Sequence, residues 1–406
     1  MRALRIFDMT AEAQVGSARR VEREEPVAPG CPVHVDEDGV WHVQSFAAAR
    51  ALLRSTETRQ GGFGVDEARR LVAKIRPPVL WRDGPEHREH RRQTARFFTP
   101  RRVDEKYREL MHGYAEEQCE RLRQAGRADL SRLSFALAVA VAGEVVGLTP
   151  GRPGMDRRLD RFFKPQPPAP KFLSRAGIRR FLHSNFAIGA FYLRDVRPAI
   201  RARRRERRDD LISHLLDEGC RNVEVLGECM TFAAAGMITT REFITVAAWH
   251  LFTDEALRTA YVTGDEEARF GVLHEILRLE PVVANLARWT TGDVEVPGED
   301  GPVAIPPGAR VDIGLATANV DPVVVGGKPS RLCPGRALPD NVAGSVLSFG
   351  DGPHRCPGAH VAIQETDIFL AKLFAMPGLR MAQPPTVSIR PEIASYELVG
   401  LILEVD

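Results

Sequence analysis

Residues 199–280 contain no proline, although the 406-residue sequence carries 29 prolines. Proline removes a helix hydrogen bond and clashes with the turn before it, so a long stretch without it is free to be helical. Apolar residues recur there at helical spacing, through residues 211–216, 232–252 and 270–279, which marks faces that must be buried. The centre of the chain therefore reads as a helix-rich body. Its flanks differ. Residues 20–46 hold Pro26, Pro29, Gly30 and Pro32 and then an alternating segment at 34–43, the pattern of a small sheet entered through a turn-rich arm, with helix following from about Ser45. Residues 290–313 read as short strands broken by Pro297, Gly298, Pro302 and Pro306-Pro307-Gly308, and residues 396–405 as a closing strand pair. The expected fold class is mainly α with small peripheral β-sheets. One domain spans 1–406, with 1–33 as an N-terminal arm, and the Pro-rich stretches at 150–153 and 164–170 read as surface loops.

Composition narrows the function classes. With 44% hydrophobic and 27% charged residues, the chain is neither disordered nor a disulfide miniprotein. Its 56 basic and 54 acidic residues give a formal charge of +2, no global field for nucleic acid or an anionic membrane. Residues 201–208 hold six arginines, but Asp209 and Asp210 follow, and a solvated helix end explains them. Residues 1–20 lack an apolar signal or anchor segment, and the most apolar internal run, 135–143, is too short to span a bilayer. A cytoplasmic protein is expected, with no nucleic-acid or membrane partner. Six dispersed cysteines without a CxxC fit neither a zinc ribbon nor a secreted disulfide framework.

Several catalytic signatures are absent: GxSxG, HExxH, Walker A, and a full dinucleotide glycine loop, because Arg355 stands where the third glycine would be. What stands out is Phe349-Gly350-Asp351-Gly352-Pro353-His354-Arg355-Cys356-Pro357-Gly358, the pattern FxxGxxxCxG. By this chain's composition, a chance match has a probability of roughly 0.002. Taken by itself, Cys356 could be a buried structural thiol or a zinc ligand with His354 and His360, although a C-x3-H spacing without a second cluster suits zinc poorly.

This decapeptide resembles the cysteine loop of the cytochrome P450 family. The resemblance implies a family fold, a mainly helical single domain around buried haem b, with Cys356 as the iron ligand. A thiolate on haem iron needs a tight turn that brings N–H groups toward sulfur, for which Gly352 and Gly358 are suited, while Phe349 would shield the sulfur from water. Pro357 suits the first position of a helix whose face carries Ala359, Ala362, Thr366, Phe369, Leu370 and Leu373. Cys333-Pro334-Gly335 lacks the upstream Phe and Gly, and Cys333 is unassigned.

Other segments follow the family's order. Glu275-Ile276-Leu277-Arg278 matches its ExxR ion pair. Glu89 to Arg92 and Glu120 to Arg123 also fit that pattern, but only Glu275 and Arg278 lie in a long apolar helix followed by Pro281 and upstream of Cys356. Arg336 is a weaker candidate for completing that network. His87 and Arg91, four apart in a segment beginning Asp83-Gly84-Pro85, would share a helix face and bind haem propionates, and the family's other donor positions fall on Arg288 and His354.

Ala235-Gly236-Met237-Ile238-Thr239-Thr240 aligns with the family's AGx(D/E)TT, where a widened helix turn leaves room for dioxygen and Thr239 relays protons. Ile238 breaks the pattern, because an alkyl group passes no proton. Glu242, three residues past Thr239, or ordered water is the expected substitute, or else the chain uses peroxide or a substrate with its own acidic group. Phe232, Met237, Ile238, Val282 and Val283 are expected near an apolar substrate, with the loop 63–81 and Phe162 and Phe163 as less firmly aligned borders.

The implied reaction is monooxygenation. It takes O2 as co-substrate and electrons ultimately from NAD(P)H, delivered by a ferredoxin and its reductase to a basic face at Arg88, Arg92 and Arg355. A non-catalytic haem binder is the alternative from another class.

Overall fold

The computed structural model describes residues 19–21, 32–62, 65, 76–148, 153–163 without the side chains of Phe162 and Phe163, 186–390 and 395–406. The fold is mainly helical with small separate sheets.

The principal helices are α1 (Phe46–Arg54), α2 (Gly84–Thr94), α3 (Arg108–Ala125), α4 (Leu130–Val146), α5 (Arg197–Arg205), α6 (Asn222–Phe232), α7 (Thr239–Thr253), α8 (Glu266–Leu279) and α9 (Ala359–Phe374). Their ends carry the expected caps. Ser45 accepts from the Ala48 amide at the start of α1, Asp265 from Ala268 before α8, and Gly126 and Gly147 close α3 and α4 in the left-handed region. The proline-free centre is helical as expected, and α6 and α7 are joined by a π-helical turn at Ala233–Ile238.

The described strands are β1 (Val33–Val35), β2 (Trp41–Val43), β3 (Thr58–Gln60), β4 (Arg127–Asp129), β5 (Asn285–Thr290), β6 (Val294–Pro297), β7 (Pro302–Ile305), β8 (Arg310–Gly314), β9 (Arg380–Gln383), β10 (Thr386–Arg390), β11 (Ser395–Val399) and β12 (Ile402–Glu404). The largest sheet has the order β1-β2-β8-β5-β3, with only β2 and β8 parallel. Its register sets Arg288 opposite Gln60 on one side and Val311 on the other.

Two expectations are corrected. The last two strands do not pair with each other. β11 pairs with β10, and β12 joins β4 and β9, because Gly400 at φ +79° turns the chain out of one sheet and into another. Pro357 is not the first residue of a helix either, since α9 starts at Ala359 behind Gly358.

Two apolar clusters form. The larger holds the helices α3, α4, α7, α8 and α9. The smaller is built by α1 with β2, β6, β7 and β8. The middle of α9, from Ile363 to Leu370, is buried on every side, which exceeds the one-sided face read from the sequence. It packs on α3, α7 and α8, and so carries what precedes it into the interior.

Candidate active site

The cysteine loop takes its shape from glycine. Gly350 and Gly352 have φ +69° and +66°, and a Cβ on Gly352 would stand 2.2 Å from the Leu53 carbonyl oxygen. Between them Asp351 accepts from Arg50 Nε at 3.1 Å and Arg54 Nε at 3.0 Å, which clamps the loop onto α1. The loop closes when the Cys356 amide donates to the Phe349 carbonyl at 2.8 Å. The tight-turn argument fails for Gly358, whose φ is −88° and whose added Cβ would meet nothing within 4 Å; its N–H hydrogen-bonds the Cys356 sulfur instead. Burial pushes the Cys356 thiol up, and the Gly358 amide, Arg91 and Arg355 pull it toward the thiolate. His354 faces Asp83 at 3.2 Å and His360 lies 3.9 Å from Asp104, so these histidines do not assemble a zinc set with Cys356. Cys333 is exposed, and its amide donates to Glu275.

Four nitrogen-bearing side chains from three segments converge beside this loop. The rings of His87 and His354 stack with centroids 3.9 Å apart. Arg91 donates to the Arg355 carbonyl, and the Arg288 side chain, 3% exposed, donates among the described residues to its neighbour's carbonyl alone. Burial lowers His87 to about 3 and Arg288 to about 10, with Asp83 the carboxylate that opposes it. A buried guanidinium without a paired carboxylate is costly. Two guanidiniums and two histidines that burial holds toward the neutral form, crowded this way, offer hydrogen-bond donors to an anionic ligand bearing carboxylates, which is what haem propionates supply. The thiol and this cluster of two arginines and two histidines therefore fit haem b.

The ion pair is the most completely satisfied part of the site. Arg278, fully buried, meets Glu275 through Nε at 2.7 Å and Nη2 at 2.8 Å, and donates to the carbonyls of Asn319, Pro329 and Arg331. Arg336 Nε completes the network on Glu275 at 3.1 Å. The pairs Glu89–Arg92 and Glu120–Arg123, which share the spacing, are solvent-exposed.

The turn at Ala233–Ile238 is π-helical, as expected for a widened oxygen-binding turn. Ala235 is exposed, and Gly236 is open enough that a Cβ would meet only Ala142 at 4.0 Å. Thr239 donates to the Ala235 carbonyl at 2.6 Å and Thr240 to that of Gly236 at 2.7 Å. Glu242 is not the expected substitute acid. It is fully buried facing β11, one carboxylate oxygen taken by Arg241 Nε at 2.7 Å and the other by the Leu398 amide at 2.8 Å. Residues three apart share a helix face only broadly, and Arg241 with β11 draws this side chain away from Thr239.

Among the expected substrate contacts, Phe232 is half-buried and stacks on Phe98 at 5.8 Å, and Val283 is half-buried beside Ser395. Met237 has no exposed surface, and Ile238 and Val282 keep 5% and 6%. Met237 is thus a core residue and not part of a pocket wall, because the π turn rotates it toward the packed side. Most of the loop 63–81 and the side chains of Phe162 and Phe163 lie outside the described residues. Sequence reasoning missed Asp351 with its two arginines, and also Glu365, nine positions after Cys356, which hydrogen-bonds Thr240. Nothing local marked Glu365, because it lies in the polar stretch Gln364-Glu365-Thr366-Asp367 of α9.

Comparisons with known proteins agree with this geometry. Residues 271–380 match the family described as Cytochrome P450. The chain is 28% identical to erythromycin C-12 hydroxylase of Saccharopolyspora erythraea, over 85% of this chain and 83% of that protein. It is 28% identical to mycinamicin IV hydroxylase/epoxidase of Micromonospora griseorubida, over 95% and 94%. Among solved structures, substrate-free CYP109E1 from Bacillus megaterium superposes with a TM-score of 0.73 at 22% identity, covering 92% of this chain and 95% of that one. Among the described residues no helix is long and apolar enough to cross a membrane.

Proposed function

The chain belongs to the cytochrome P450 family and is a monooxygenase of it; from that premise we propose that it oxidises a small, largely apolar molecule of secondary metabolism, with electrons from a ferredoxin and its reductase. Relatives named as hydroxylases of erythromycin and mycinamicin support the substrate class. So do the half-buried Phe232 and Val283.

The observation that carries the reading is the cluster of His87, Arg91, Arg288 and His354 beside Cys356. Haem b would be held by the Cys356 sulfur, with its propionates against His87, Arg91, Arg288 and His354. Bound there, the group supplies activation of O2 and insertion of one oxygen atom into the substrate. The protein's residues do the rest. The Gly358 amide and Arg91 favour anionic sulfur, and Phe349, half-buried against the larger apolar cluster, would cover it from water. Ala235 and Gly236 leave space over the π turn, and the Thr239 hydroxyl, now held by the Ala235 carbonyl, can turn to a ligand. Arg355 is exposed in the cysteine loop and Arg88 on α2, and Arg92 on the same helix is exposed although paired with Glu89, together offering a basic face for an acidic electron donor.

The test is the carbon monoxide difference spectrum of the reduced, haem-supplied protein. The thiolate signature is expected in the parent and its loss in Cys356→Ser; an unchanged spectrum in the variant overturns the assignment. A ligand library read by shifts of the haem absorption band then identifies the substrate. Ile238 favours a second reading, a peroxide-driven enzyme, which turnover with hydrogen peroxide and no ferredoxin would support.

A further inference from the structure

Residues 194–208 hold eight arginines and two acidic residues, in a chain whose whole formal charge is +2. The structure divides this run. Arg203 pairs with Asp210, Arg207 with Asp217 at 2.7 Å, and Arg204 donates to Asn222 at 2.7 Å. Arg194, Arg197, Arg201, Arg205 and Arg208 are exposed, and no ion pair reaches them among the described residues. Arg197, Arg201 and Arg205 stand four apart on α5, so they form a row on one face with a step of about 6 Å. Asp195, the acid inside the run, is no counter-charge for them. It is 2% exposed and taken by Arg158 at 2.8 Å, which joins the helix Met155–Phe163, with its exposed Arg157 and Arg161, to this one.

The same helix exposes apolar surface. It is helical at residues 186–191 and π-helical at Tyr192–Val196 before α5 begins, and on it Phe186 and Leu193 are 77% and 54% exposed. Like charges four apart on a helix repel, so an unpaired row costs stability that opposite charges from outside would return. We propose that the exposed face of residues 186–205 docks an acidic protein, which lays carboxylates at helical spacing along Arg197, Arg201 and Arg205 and covers Phe186 and Leu193. This goes beyond the monooxygenase reading and does not depend on it, because the face is built from other elements than the donor face at Arg88, Arg92 and Arg355.

Chemistry selects the occupant. Every free cation of the row is arginine, whose planar fork takes a carboxylate through two parallel hydrogen bonds. Arginine beside an exposed aromatic ring is also the composition of protein interfaces. A lipid surface needs a continuous apolar face to sink in, and here Phe186 and Leu193 are the large apolar side chains left exposed among the described residues of the helix. A nucleic-acid strand fits less well, because the exposed acids Glu206, Asp209, Asp217 and Glu218 follow just past the row.

The experiment uses the haem-loaded full chain and a fluorescently labelled helical peptide of about 20 residues, with glutamates at four-residue spacing on one face and two leucines beside them. Anisotropy gives its affinity. A second peptide of the same composition, with the glutamates scattered around the helix, separates geometry from net charge. The patterned peptide should bind the parent about 10-fold more tightly than the scattered one. Arg197→Glu/Arg201→Glu/Arg205→Glu should weaken it by about 10-fold or more, and Phe186→Ala by about 5-fold. Arg88→Glu/Arg92→Glu should leave its affinity unchanged. Should the triple variant not fold, Arg201→Glu alone carries the test, with a smaller loss expected. Equal affinity for the two peptides, loss of binding in the Arg88/Arg92 variant instead, or tighter binding to anionic lipid vesicles or duplex DNA than to the patterned peptide overturns the proposal.

Discussion

At the scale of single residues, burial separates groups that the sequence writes identically. The Glu-x-x-Arg spacing recurs along the chain, and of Glu89–Arg92, Glu120–Arg123 and Glu275–Arg278 only the last pairs a glutamate at 3% exposure with a fully buried arginine. Glu275→Gln leaves that guanidinium's charge uncompensated, so chemical denaturation should register a loss of about 3–5 kcal/mol. Glu89→Gln and Glu120→Gln, on exposed pairs, should leave the midpoint where it was. His90 offers a pH test. Burial, then Arg82 and Arg76, hold it to about 3, against 6.5 for a free imidazole, and its Nε2 has no hydrogen-bond partner among the described residues. Between those values the unfolded chain binds a proton that the folded chain does not, so stability falls as pH drops below 6.5. His90→Gln should make the slope of stability against pH shallower by close to one proton, measured by denaturation at several pH values across that window.

At the scale of elements, the cysteine loop depends on a neighbour far away in sequence. Gly352→Ala would drive a Cβ into the Leu53 carbonyl at a φ of +66°. Haem incorporation, read from the absorbance ratio of haem to protein, should collapse in this variant while far-ultraviolet circular dichroism keeps its helical amplitude. The FxxGxxxCxG spacing made the loop legible, but not the clamp of Arg50 and Arg54 on Asp351, since residues about 300 apart carry no local signal of contact. The π turn was likewise legible as a motif. Where its side chains point was not, and Glu242 and Met237 went to the core instead of the pocket.

At the scale of the whole molecule, the two apolar clusters should open separately. In the haem-free protein, amide hydrogen exchange is expected to release α1 and the β1-β2-β8-β5-β3 sheet before α7 and α9. Leu52→Ala, at a position with no exposed surface in the smaller cluster, should cost that unit about 2–5 kcal/mol. It should lower haem retention as well, because the unit carries both the clamp on Asp351 and the strand that positions Arg288.

Local pattern sufficed for what is local: the helical centre, the short strands, the loop around Cys356, and the order of motifs that ties it to haem chemistry. Pairing across long separations was settled by packing alone, since burial and hydrogen bonding depend on which neighbours arrive. That is why the closing strands joined different sheets, why Glu242 turned to Leu398, and why the carboxyl beside Thr240 came from α9.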